Sequence, residues 1–203
     1  MGRGPRVRTA VLAAALAELA EVGYSALTID SVARRAGVHK TTVYRRWQDR
    51  DQLLLDAVID QIAVDVPIPD THAIETDLRE HARSLIRWLT SPAGRAVLAA
   101  AFSDLARTPQ LAGLKRRFFA DRFRRIEPVV TRAIERGELP PGTEPAQLVK
   151  AVIAPIYLRL LVTADPLDEA VADHAVRVAL AAARAGLFRS SVDPAPPRSP
   201  GPA

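Results

Sequence analysis

His39, Lys40, Thr41, Thr42, Tyr44, Arg45, Arg46 and Arg50 fall within twelve residues of one another. Every one of these side chains donates hydrogen bonds or carries positive charge, and no Ser or Thr in the chain has a recognisable neighbouring base. The chemistry they suit is recognition of a polyanion. Hydroxyl and guanidinium groups hold phosphate oxygens, while polar side chains at the start of a helix reach hydrogen-bonding groups on base edges.

Such a set must be carried by a short helix presented to the outside. Ala33, Gly37 and Val43, spaced by four and six, meet the demands of a helix-turn-helix: a small residue where two helices cross, a residue tolerant of positive φ in the turn, and an apolar anchor on the second helix. With Ala33 and Val43 facing inward, the second helix presents His39, Lys40, Thr42, Tyr44, Arg45 and Arg46, with Thr41 between. The first helix of the pair opens at Thr28, whose hydroxyl suits an N-cap, and Ile29, Val32, Ala33 and Ala36 follow on one face. A helical hairpin with a basic outer face would explain any one of these positions. Their joint occurrence, together with the charge distribution, favours DNA.

That distribution is uneven. The net charge is +5, and residues 1–50 hold nine cations against four acids, while residues 51–203 hold nineteen of each. A neutral body with one basic end points to a polyanionic partner at that end. Cysteine is absent, which excludes disulfides, a thiol nucleophile and sulfur-ligated zinc. His72, His81 and His174 have no metal-ligand spacing, there is no glycine-rich phosphate loop, and no cofactor or metal is expected. The longest uncharged run, Thr9 to Ala17, is nine residues, too short for a membrane span, and no signal peptide is apparent. A cytoplasmic, non-enzymatic protein is expected.

The remaining pattern is helical throughout, so the fold class expected is all-α. A first helix covers about Arg6 to Val22 with Gly23 placed to end it, and Asp49 can cap a connecting helix over 49–65. After Val66-Pro67-Ile68-Pro69 come amphipathic segments near 74–89, 94–107, 110–137, 145–164 and 167–188, separated by proline-containing breaks. The expected organisation is a DNA-binding domain over 1–50, a larger helical domain over 70–189, and a disordered tail over 190–203, which holds five prolines.

Residues 6–58, above all Leu27 through Trp47 followed by Arg50, Leu53 and Leu54, resemble the N-terminal domain of the tetracycline-repressor (TetR/AcrR) family of transcriptional regulators. The matching places are Thr28, Ala36-Gly37-Val38, Thr42-Val43-Tyr44, Trp47 and Leu53-Leu54. Three positions depart from the pattern. His39-Lys40-Thr41 stands where the family often has Ser-x-Gly, Trp47 where it has Phe, and Arg50 where it has Lys. The resemblance implies phosphate contacts for Thr28, Thr42, Tyr44 and Arg50, with Arg46 added, and base readout for His39, Lys40 and Thr41. Arg3, Arg6 and Arg8 would then follow the neighbouring groove as an arm.

Ile153 through Thr163, followed by Pro166-Leu167-Asp168, resembles a recurrent C-terminal subtype of these regulators. The last two helices must be antiparallel neighbours. They carry apolar stripes of Leu148, Val152, Ile156 and Leu160, then Val171, Ala175, Val178 and Ala182. These stripes fit the core of one chain, and the resemblance implies a homodimer interface. Two short recognition helices set about one DNA turn apart, roughly 34 Å, would read a palindromic operator in double-stranded DNA. For a small-molecule effector the expected lining is His81, Trp88, Phe102, Phe119, Phe123 and Tyr157, with Arg159 a further polar group. Two function classes follow: a repressor released by an effector, or a constitutive, architectural DNA-binding dimer, which a C-terminal domain without a cavity would favour.

Overall fold

The computed structural model describes residues 3–102 and 109–189; the proline-rich tail expected over 190–203 lies outside them. Among the described residues there are nine α-helices and no strand. They are α1 (Arg3–Ala26), α2 (Ile29–Arg35), α3 (Lys40–Tyr44), α4 (Arg50–Asp65), α5 (Ile74–Thr90), α6 (Pro92–Phe102), α7 (Pro109–Glu135), α8 (Pro145–Leu158) and α9 (Glu169–Arg184). A π-helical turn, Arg159–Thr163, prolongs α8 and ends on Ala164 in the left-handed region.

Several boundaries follow from local chemistry. Thr28 Oγ1 accepts the Ser31 backbone N–H at 3.0 Å while Ser31 Oγ accepts that of Thr28 at 3.2 Å, a reciprocal cap that opens α2. Asp49 and Asp168 cap α4 and α9 through the N–H groups of Gln52 and Val171. Gly23 takes φ 74° and ψ 170°, which interrupts the regular path of α1 three residues before its end. The start of α5 has no local side-chain cap. Glu138, from the turn after α7, accepts the Ile74 N–H at 2.7 Å instead.

The buried apolar residues form two cores. The first gathers α1, α2, α3 and the N-terminal half of α4, with Val11, Leu27, Val32, Val43, Trp47 and Leu53 at its centre; residues of α6 pack against it. The second starts at Ile62 on the same α4 and is built mainly from α5, α7, α8 and α9. Thus α4 belongs to both. By length and composition alone the helical segments Gly4–Ala26 and Pro145–Thr163 are apolar enough to cross a membrane. Core packing uses part of this character: α1 buries Val11, Leu12, Ala15 and Leu19, and α8 buries Leu148, Val149, Val152 and Ile156.

The arm expected from Arg3, Arg6 and Arg8 is corrected: helix α1 already begins at Arg3, and Arg8 is tied to Asp60 of α4 at 2.7 Å. An early helix start satisfies backbone groups that a free strand of chain would leave to solvent.

Candidate nucleic-acid interface

The α2–α3 pair is joined by Ala36, Gly37 and Val38. Gly37 adopts φ 67°, a conformation strained for residues with a Cβ, and the Val38 N–H returns to the Ala33 carbonyl at 3.0 Å. Beneath α3, Val43 and Trp47 are buried, and Trp47 Nε1 donates to Asp56 Oδ2 at 3.0 Å, which pins the end of this unit to α4. Anchoring those two residues turns the others outward. His39, Lys40, Thr41, Tyr44, Arg45 and Arg46 are exposed and Thr42 is half-buried. Tyr44 is 51% exposed although it lies beside two fully anchored residues.

The face is ordered by short contacts. His39 is the N-cap of α3, its Nδ1 2.9 Å from Thr41 Oγ1 and 3.4 Å from the Thr41 backbone nitrogen. Lys40 Nζ lies 3.3 Å from Asp30 Oδ2, an exposed pair linking the two helices. Arg46 lies over the Trp47 ring. Arg34 and Arg45 are exposed and have no ion pair among the described residues. Arg35 is committed inward, to Glu18 at 2.7 Å and to Glu21. Thr28, exposed at the N-terminus of α2, stands where the helix dipole and its leading N–H groups favour an anion.

Arg50 is less free than the sequence implied. Its Nη1 donates to the carbonyls of Tyr24 and Leu27 at 3.2 and 3.1 Å, and its guanidinium lies over the Tyr24 ring at 4.5 Å. It therefore braces the α1–α2 corner against α4 with part of its donor set.

Residues 11–57 match the family described as bacterial regulatory proteins of the tetR family, and residues 68–179 match the tetracyclin repressor-like C-terminal domain. The chain belongs to the TetR family. Regulator AqdR of Rhodococcus erythropolis is 32% identical over 81% of this chain and 80% of its own length. A DNA-binding transcriptional repressor TetR of Mycobacteroides abscessus is 30% identical over 84% of this chain and 90% of its own. The crystal structure of the TetR family transcription regulator SCO0332 superimposes with a TM-score of 0.71 at 30% identity, covering 86% of this chain and 97% of that one. The protein is a DNA-binding transcriptional regulator of the TetR family, and the α2–α3 pair lies within the span that matches this family's N-terminal domain.

In this TetR-family chain the residues expected to line an effector site lie around two adjoining cavities. Trp88, Phe102, Phe119 and Tyr157 border a cavity of about 150 Å³; His81, Phe119, Phe123 and Tyr157 border a smaller one of about 30 Å³. Phe119 meets Phe118 and Tyr157 edge-on and stacks on Phe123. His81 Nδ1 donates to the Pro67 carbonyl at 2.9 Å, and burial, aided by nearby Arg122, lowers its pKa to about 4, so the ring is neutral near pH 7. Burial likewise pushes the Tyr157 hydroxyl up to about 12, against the pull of Arg122. Arg159 is engaged elsewhere, donating to the Pro166 carbonyl at 3.2 Å.

The larger cavity is not confined to the C-terminal helices, where the sequence put it. Leu19 and Tyr24 of α1 and Asp51, Leu54, Leu55 and Val58 of α4 form one side. No local pattern marks these residues, because the approach of α1 to α6 is a long-range packing event.

The expected interface stripes are corrected in part. Leu148, Val152, Ile156 and Ala175 are buried within the single chain, so they have no area left for a partner. Leu160, Val171 and Ala182 are half-buried, and Val178 is 55% exposed. The apolar residues left outside on these two helices include Leu158, Leu161 and Val162, the last 73% exposed. Helix α8 is apolar on more than one side, and the fold consumes the sides that pack against α9, α7 and α5.

Proposed function

We propose that the chain acts as a homodimeric repressor that binds a palindromic operator and is released from it by a small-molecule effector. The observation that carries the DNA-binding half is the outward face of α3, where Lys40, Thr41, Tyr44, Arg45 and Arg46 stand exposed over the buried Val43 and Trp47. His39, Lys40 and Thr41 read base edges; Thr28, Thr42, Tyr44, Arg46 and the free donors of Arg50 hold phosphates. Dimerisation is supported by the uncovered apolar group Leu158, Leu161, Val162 and Val178 on α8, its π-helical extension and α9. The cavity of about 150 Å³ supports an effector over the constitutive reading. Effector and operator then oppose one another through their differential affinity for two arrangements of the N-terminal domains.

Footprinting of the full chain on the DNA flanking its own gene, repeated across salt concentrations, tests the reading. A protected palindrome whose affinity falls steeply with salt is expected; a flat salt response overturns the phosphate contacts, and protection without two-fold symmetry overturns the homodimer on a palindrome.

A further inference from the structure

The cavity of about 150 Å³ sits at the seam between the two cores, walled by α1 and α4 on one side and by α5, α6, α7 and α8 on the other. Its lining is apolar with few polar groups, and a volume of this size suits a single aromatic ring. Trp88 lines it, is 5% exposed, and its Nε1–H has no hydrogen-bond partner among the described residues. A buried indole N–H without an acceptor is an open demand that a ligand can meet. Two charged side chains reach the wall, Asp51 and Lys115, the latter with its ammonium 4.6 Å over the Phe102 ring. Both are engaged within the protein, Asp51 by the Tyr24 hydroxyl at 2.7 Å and Lys115 by the Phe102 ring, and the rest of the lining is apolar, which favours an uncharged occupant.

The same wall touches the DNA-binding unit. The Tyr24 hydroxyl donates to Asp51 Oδ1 at 2.7 Å, and Tyr24 is the residue whose ring and carbonyl hold Arg50. Arg50 also holds the Leu27 carbonyl, one residue before the cap of α2. We propose that the cavity takes a compact, uncharged aromatic molecule with one hydrogen-bond acceptor, received by Trp88 Nε1–H, and that its presence reaches the DNA face through Tyr24, Asp51 and Arg50. This rests on the effector-released reading above and names its ligand class and its route. A ring pressed against Tyr24 strains its bond to Asp51, shifts Arg50, and with it the start of α2.

The test uses two probes of nearly equal shape, acetophenone and α-methylstyrene, which differ in having a carbonyl or a methylene group. Calorimetric titration of the full chain without DNA should give acetophenone about a tenfold preference, and Trp88→Phe should reduce that preference to about one. Equal affinities in the wild-type chain overturn the Trp88 assignment regardless of how the variant folds, as does binding of neither probe. The route is read from the ratio of operator affinities with and without saturating acetophenone. Tyr24→Phe keeps the ring under Arg50 and removes the hydroxyl, so this ratio should collapse toward one while acetophenone still binds; an unchanged ratio overturns the relay. Because ligand binding is measured without DNA, a chain that binds the probe but no DNA defeats only the repressor reading.

Discussion

Tyr44 and Lys40 sit four residues apart on one short helix, and the proposed reading assigns them to different parts of a DNA duplex. A phosphate contact is the same on every sequence, so Tyr44→Phe should weaken binding to operator and random DNA alike, by about 1 kcal/mol, the net worth of one hydrogen bond. Lys40→Ala should in addition relax discrimination at one base position by roughly 1–3 kcal/mol. Competition binding on single-base operator variants separates the two; equal losses for Lys40→Ala on all of them would remove it from base readout. His81 supports a prediction of another kind. Its pKa falls from 6.5 to about 4 on folding, so the unfolded chain binds the extra proton between those values. Stability is then complete above pH 6.5 and declines as pH drops toward 4, by on the order of 3 kcal/mol. Melts at stepped pH should show a shallower decline for His81→Asn, whose amide can still donate to the Pro67 carbonyl. At this scale the sequence was informative where function demands exposure: His39, Lys40, Thr41 and Tyr44 stand out as polar residues on a helix whose Val43 must face inward. It was silent on Tyr24 and Asp51, since nothing local distinguishes a Tyr–Asp pair that meets across two helices from any other two polar residues.

Helix junctions carry the next level of constraint. At the corner between α5 and α6, Ser91 Oγ donates to the Trp88 carbonyl at 2.7 Å and accepts the Gly94 N–H at 3.1 Å. A Cβ on Gly94 would lie 2.0 Å from that same carbonyl oxygen, so Gly94→Ala must open the corner. A cost of about 1–3 kcal/mol is expected in denaturant melts. Gly113, inside α7, has only the tip of Arg116 nearby at 3.9 Å, and Gly113→Ala should stabilise by about 0.5–1 kcal/mol. Opposite signs for the two variants are the outcome that confirms the steric account. Element boundaries set by neighbouring residues were legible beforehand: Thr28, Asp49, Gly37 and the proline breaks lie within a few residues of the ends they define. The cap of α5 was not, because Glu138 reaches Ile74 across sixty-four positions. For the same reason an apolar stripe on α8 identified a buried face without saying what buries it, and Leu148, Val152 and Ile156 turned out to lie in the core that α8 shares with α5, α7 and α9 of the same chain.

For the whole molecule the proposed function turns on how two copies would be spaced. Val178→Asp combined with Leu161→Asp places charge on the uncovered apolar surface without touching either core, so sedimentation should report a monomer with an unchanged melting profile. Such a monomer should lose most of its affinity for a palindrome while binding a half-site as before, and a persistent dimer would move the interface elsewhere. Within each copy, α4 contributes Leu53 and Leu54 to one core and Ile62 to the other, so neither core can shift without engaging the other. The exposed pair between Lys40 and Asp30 bears on how the proposed dimer would search a genome. In the free protein Asp30 occupies the ammonium that would otherwise greet any acceptor it passes. An exposed pair of this kind is worth at most about 1 kcal/mol, small enough to surrender to a well-placed base edge yet sufficient to compete with a poorly placed one. If Lys40 reads a base as proposed, the carboxylate would serve as a resident decoy, releasing the lysine only where the duplex offers a better partner than the protein already supplies.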